Sequence, residues 1–186
     1  MLATMAAPRR SDAARNRVAL LDAARRTRDA HGFPAPLAEV AAEAGVGVGT
    51  AYRNFPTHRA LVEALALEHL DDLLAAARTA EAETRPDALD DLLVAAVRLL
   101  ADDPSLATVV SDPDGSGPEL REAVTGLLEV FGRLLARAQD AGLVRTDLGP
   151  VDVHHLVCGV QLSVRLAGTA DAVDRYARVL LTGLRP

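Results

Sequence analysis

The side chains best equipped for chemistry in this 186-residue chain stand together, between Gly47 and Asn54. Tyr52, Arg53 and Asn54 bring a phenol, a guanidinium and a carboxamide to consecutive positions, all hydrogen-bond donors suited to phosphate oxygens. Ahead of them, Gly47, Val48, Gly49 and Thr50 are small or short. A helix that enters a DNA major groove needs such leading residues, because bulky ones hold its backbone away from the base edges. The chemistry implied is recognition rather than bond breaking.

Those residues need elements to hold them. Leu37, Val40, Ala41 and Ala44 recur at the spacing of one helical face. Gly45 then stands where a helix ends in a left-handed residue, and Val46 is placed to plug the turn. Gly47 serves as N-cap of a second short helix over 48–54, which Pro56 ends. Thr57 caps the next helix, which runs to about Ala82. Upstream, a helix from about Ser11 to His31 presents Val18, Leu20, Leu21 and Ala24 as its apolar face, and the stretch Phe33-Pro34-Ala35-Pro36 breaks it. Ala41, Ala42 and Ala44 are small enough for two helices to cross closely. A longer helix, then two short ones around a glycine turn, describes a helix-turn-helix. A plain helical hairpin would satisfy the same spacing.

The stretch Leu37 to Leu61, LAEVAAEAGVGVGTAYRNFPTHRAL, resembles the DNA-binding signature of the TetR family, and Arg17 to Ala24 resembles that family's first helix. The resemblance spans roughly residues 15–65. It implies that Val48, Gly49 and Thr50 face bases or nearby backbone and that Tyr52 contacts phosphate. Asn54 stands where His is frequent, and His58 where a phosphate-binding Lys is common. His58 also opens the long helix, whose first N–H groups can hold a phosphate. There are departures: Gly47 replaces a usual Ser or Thr, Pro36 a capping Thr, and Arg28 a buried Phe.

The rest reads as further helices over about 87–102, 104–111, a long one after the loop 111–118 that ends near Gly142, then 150–168 and 171–184. No alternating strand pattern occurs. The expected fold is all-α with about nine helices: a three-helix helix-turn-helix domain followed by a helical-bundle ligand-binding and dimerisation domain. The expected organisation is a disordered arm over 1–12, a DNA-binding domain over 13–58 and a regulatory domain over 59–186. Composition agrees, with 49% hydrophobic and only 3% aromatic residues and no Lys, Ile or Trp. The net charge of −6 argues against a nucleic-acid binder, but its distribution does not. Residues 1–58 hold eight arginines against five acids, whereas 59–186 hold twelve against twenty-one. A basic head on an acidic body suits a protein whose head alone meets phosphate. Neither a membrane span nor a signal peptide is expected, and the single cysteine, Cys158, fits a reducing cytoplasm.

The resemblance further implies a homodimer through residues 150–184 on palindromic double-stranded DNA, acting as a repressor released by a small-molecule effector. The helix over 150–168 is apolar on two faces, Val153, Leu156, Val157, Val160 and Val164 on one and Cys158, Leu162 and Leu166 on the other. One face can pack on the chain's own core and the other on a partner, although a central core helix in a monomer reads the same way. Arg98, Gln161 and Arg165 are the isolated polar residues singled out for an effector pocket or an interface.

No enzyme activity, cofactor or metal is expected. Gly45-Val46-Gly47-Val48-Gly49 follows a helix, not the strand a nucleotide loop needs. A calcium loop from Asp112 would place Ala123 where Glu is required. His154 and Cys158 are spaced to share a metal, but lack a third ligand. The acid pairs Asp71-Asp72, Asp90-Asp91 and Asp102-Asp103 read as solvated helix faces or helix ends. The competing class is a helical enzyme or a protein-interaction module without DNA binding.

Overall fold

The computed structural model describes residues 9–31, 35–83, 85, 87–110 and 116–186. Among them are nine α-helices and no strand. The chain divides into two compact units, Met1–Leu65 and Ala66–Pro186.

The first unit holds α1 (Arg9–His31), α2 (Leu37–Glu43), α3 (Val48–Asn54) and the beginning of α4 (His58–Ala82). Its core joins Leu20, Leu21 and Ala24 of α1 to Leu37, Val40 and Ala41 of α2, Ala51 and Phe55 at α3, and Leu61 and Leu65 of α4. Each Leu, Val or Phe buried in this way stabilises the fold by about 1.5–3 kcal/mol relative to exposure. Val18 is not among them, being 58% exposed, and Ala23 takes the inward place. Val18 precedes Leu20 by two residues, about 200° around the helix, which puts it on the far side. α1 begins at Arg9, two residues ahead of the expected start. Arg17 lays its guanidinium over the Phe55 ring, 4.6 Å from the centroid, and so joins α1 to the end of α3.

The second unit holds the rest of α4 with α5 (Ala88–Asp102), α6 (Pro104–Val110), α7 (Pro118–Asp140), α8 (Pro150–Ala167) and α9 (Ala172–Gly183). α5, α8 and α9 pack on one another, and α7 packs on α5 and α8. Leu89, Leu92, Leu93, Val97 and Leu100 form the buried stripe of α5, and Leu120, Val124, Phe131, Leu134, Leu135 and Ala138 that of α7. Just past α7, Gly142 has a φ of +70° that lets the chain turn back so that Leu143 N–H reaches the Ala138 carbonyl at 2.9 Å. Among the described residues, no helix is long and apolar enough to cross a membrane.

Two expectations about this unit need correction. On α8 the inward residues are Val153, Val157, Gln161 and Val164, while Leu156 is 43% exposed. An i, i+4, i+8 row from Val153 carries Gln161 inward, and Leu156 lies about 100° away from Val157. Asp103 is not a solvated helix end but a buried one, 3% exposed. Its Oδ1 accepts the N–H of Leu106 at 3.1 Å, capping α6. The loop 111–115, with its acidic residues, lies outside the described residues, as do residues 1–8 and Phe33-Pro34.

Candidate functional site

The turn between α2 and α3 is built from backbone chemistry. Gly45 has a φ of +65°, a conformation glycine adopts without a Cβ penalty. Its N–H donates to the Ala42 carbonyl at 3.1 Å, and Val46 N–H to that of Ala41 at 2.9 Å. These bonds satisfy the open carbonyls at the end of α2. Val46 then packs against the core of the unit, as its spacing predicts. Gly47 is the N-cap of α3, its carbonyl accepting the N–H groups of Thr50 and Ala51 at 2.8 and 3.0 Å. Ala41 is buried at the crossing and Ala44 is half-buried, but Ala42 is exposed and takes no part in it.

α3 consequently has two different sides. Ala51 and Phe55 are buried, whereas Gly47, Val48, Gly49, Tyr52 and Arg53 are exposed. Val48 and Tyr52, a turn apart, are 47% and 50% exposed and so share the outer face of α3. A Cβ at Gly47 would meet nothing within 4 Å, and one at Gly49 only Arg53 Nη1 at 3.8 Å. Neither glycine is required by the packing of its own unit. Arg53 Nη2 donates to Thr50 Oγ1 at 2.6 Å, and Asn54 Nδ2 to the Thr50 carbonyl at 2.9 Å. Thr50 and Asn54 are half-buried at the edge of this surface.

α4 starts beside it. Thr57 Oγ1 accepts the Ala60 N–H at 3.0 Å, the cap expected from the sequence. His58 turns back, its Nε2 donating to the Ala35 carbonyl at 3.2 Å, so its ring ties the start of α4 to the segment ahead of α2. Thr27 holds that segment from α1, its Oγ1 accepting the Ala35 N–H at 3.2 Å. Pro36 supplies no side-chain cap, but its carbonyl accepts the Glu39 and Val40 N–H groups at 2.9 and 3.1 Å. The departure at Pro36 therefore leaves the start of α2 intact.

The second unit contains an apolar cavity of about 70 Å³. α4 contributes Leu70 and Leu73 to its wall, α5 Leu92 and Ala96, α6 Leu106, α7 Leu128 and Phe131, and α8 His154. Every lining residue except His154 is Ala, Leu, Val or Phe. Burial pushes the His154 pKa below the ordinary value of 6.5, and the neighbouring His155 adds to the shift. Its polar contact is a long one, 3.8 Å from Nε2 to the Cys158 thiol.

None of Arg98, Gln161 and Arg165 lines this cavity. Arg98 is exposed and pairs with Asp174 of α9 at 3.2 Å. Gln161 is 4% exposed, with its Nε2 unpaired, and Arg165 is exposed on α8. In the sequence His154 stands out only as half of a metal pair. Its position between the inward residues Val153 and Val157 is the signal that could have found it. Among the described residues, no group of three or more His, Cys, Asp or Glu side chains is arranged to hold a metal ion. α8 carries a further apolar surface: Val151, Leu162 and Leu166 are 55%, 51% and 80% exposed, beside Leu156.

Comparison with known proteins matches residues 20–65 to the family described as bacterial regulatory proteins, tetR family. Residues 97–186 match the transcriptional regulator SbtR-like C-terminal domain. No curated protein sequence matches the chain. Among solved structures, a TetR transcription regulatory protein from Mycobacterium vanbaalenii is 36% identical, covering 96% of this chain and all of that one, with a TM-score of 0.57. The TetR transcriptional regulator SCO0520 from Streptomyces coelicolor is 28% identical over 91% of this chain and 98% of that one, with a TM-score of 0.59. The TetR-like regulator LfrR from Mycobacterium smegmatis, solved with proflavine, is 24% identical over 93% and 98%, with a TM-score of 0.60.

Proposed function

The chain belongs to the TetR family of bacterial transcriptional regulators, and from that premise we propose that it is a repressor that binds palindromic operator DNA as a homodimer and releases it when a small-molecule effector binds. The observation that carries this reading is the outer side of α3. Val48, Tyr52 and Arg53 are exposed there beside two glycines whose smallness the packing does not demand. In the proposed complex Val48, Gly49 and Thr50 face base edges. Tyr52, Arg53 and Asn54 bind phosphates, which position the helix without reading sequence. His58 contributes through the N-terminus of α4, whose first N–H groups favour an anion.

A single reading helix covers few base pairs, and a dimer doubles the contact and sets the half-site spacing. The exposed apolar residues of α8, with Val179 of α9, supply a surface for the second copy. Arg165, exposed among them, is proposed as an interface residue and Gln161 as a buried polar support behind it. The cavity is proposed as the effector site, a reading supported by LfrR, which binds proflavine with the same fold. Effector binding must favour one conformation over another, since only differential affinity shifts an equilibrium. α4 suits that coupling, because Leu70 and Leu73 line the cavity while its first residues belong to the DNA-binding unit. The protein acts by binding rather than catalysis, and in the cytoplasm.

The test is fluorescence anisotropy of the full chain on the DNA flanking its own gene, with an unrelated duplex and several salt concentrations. Tight binding that prefers the flanking DNA, weakened in Tyr52→Ala, is the expected result. Equal, weak binding to both duplexes by wild type and variant would sink the DNA-binding reading.

A further inference from the structure

The wall of the cavity in the second unit says what kind of molecule it can hold. It is aliphatic or aromatic at every position but one, with no Arg, Asp or Glu. A charged group brought into such a space loses its hydration and finds no counter-charge, which costs far more than an apolar contact returns. A wholly apolar guest, on the other hand, would cover the half-buried imidazole of His154, the one polar wall residue, and leave it the long contact to the Cys158 thiol in place of water. A thiol is a weak hydrogen-bond partner, so the imidazole keeps capacity for a better one. Size sets a third limit. About 70 Å³ is several times the 10–15 Å³ that one water occupies on the same measure, enough for a single ring or a short chain.

We infer that the effector is a compact, uncharged molecule with an apolar body and one hydroxyl or carbonyl group that hydrogen-bonds His154. This inference rests on the reading of the cavity as the effector site. The imidazole can serve as donor or acceptor according to its tautomer, so either group fits. The depressed pKa of His154 agrees, since a neutral imidazole pairs best with a neutral guest.

The experiment uses four probes with one skeleton: benzyl alcohol, toluene, benzoate and benzylammonium. Each is titrated into the full-length protein near neutral pH and followed by ligand-observed NMR. Benzyl alcohol is expected to bind about fivefold tighter than toluene, the worth of one ordinary hydrogen bond. The two ions are expected to bind at least roughly 30-fold more weakly than the alcohol. His154→Phe should bring the alcohol and toluene to equal affinity while leaving toluene binding in place. Leu128→Trp and Ala96→Phe fill the cavity from different helices and should each abolish binding, with thermal melts showing which variants remain folded.

Benzoate or benzylammonium binding as tightly as the alcohol, and abolished on filling the cavity, overturns the inference while leaving the cavity as a ligand site. Alcohol binding that survives both filled variants places the site elsewhere and overturns the cavity reading as well. No binding by any probe overturns the inference, and the operator titration then tests the regulatory reading on its own.

Discussion

Nδ1 of His69 on α4 stands 3.4 Å from Oδ2 of Asp103, a carboxylate that is 3% exposed. The approach falls short of a hydrogen bond. The other oxygen of that carboxylate caps α6 through the Leu106 N–H. One buried side chain thus touches two helices, and both Leu106, whose N–H it holds, and Leu70, which follows His69, line the cavity. Asp103→Ala removes the cap and should lower stability by about 1–2 kcal/mol. Asp103→Asn keeps an acceptor for Leu106 and should cost less. Chemical denaturation of both variants checks this, and equal midpoints for Asp103→Ala and wild type would show that the carboxylate holds nothing.

Tyr52 and Arg53 are adjacent and exposed, but should fail differently on DNA. Tyr52→Ala removes a neutral donor and should weaken operator binding by about tenfold while the salt slope stays put. Arg53→Ala should flatten the plot of log affinity against log salt by about 0.9 for each phosphate that the arginine neutralises. Anisotropy titrations at several salt concentrations separate the two, and an unchanged slope for Arg53→Ala would remove it from the phosphate set.

Gly49 separates fold from function. It lies in α3, and an added Cβ meets only Arg53 Nη1 at 3.8 Å. Gly49→Ala should therefore hold or raise thermal stability, since Ala exceeds Gly in helix propensity by about 1 kcal/mol. The same methyl should weaken operator binding by blocking close approach to the DNA. A variant both stable and fully active would show that this glycine does not face DNA.

Leu162 and Leu166 are 51% and 80% exposed on α8. Charges there cost the isolated chain little, because neither side chain belongs to its core. Leu162→Glu with Leu166→Glu should leave the helical content unchanged and convert a dimer to a monomer in sedimentation, with operator affinity falling in parallel. A dimer that survives both charges would place the interface on another surface.

Burial lowers the pKa of His154, so the unfolded chain takes up a proton there more readily than the folded one. The stability tied to this group is complete above the ordinary value of 6.5 and is lost as pH falls through the depressed folded value. The melting temperature should fall on acidification through that window, and His154→Phe should flatten this part of the profile. Melts across a pH series, compared between wild type and variant, decide it.

Much of the first unit is legible in the linear sequence because its signals are local. Gly45 marks a left-handed residue, Thr57 a cap, and Leu37, Val40 and Ala41 one helical face, each acting within a turn or two of its own position. The TetR resemblance is concentrated in the same residues for that reason. Val18 and Ala42 depart from the local pattern: both are apolar, but each sits on the side of its helix that no neighbouring element covers.

In the second unit the sequence determined the helices and most of their buried stripes, since a 3.6-residue period needs no knowledge of neighbours. It did not determine which polar residue meets the cavity. Arg98, Gln161 and Arg165 stand out as polar among apolar neighbours, but inclusion in a cavity wall depends on where five helices come together, and only His154 is brought there. The burial of Asp103 is of the same kind, because its partners, His69 and the Leu106 N–H, come from different helices. Sequence alone decides which residues prefer water; the packing of α4 through α8 decides which of them can reach it.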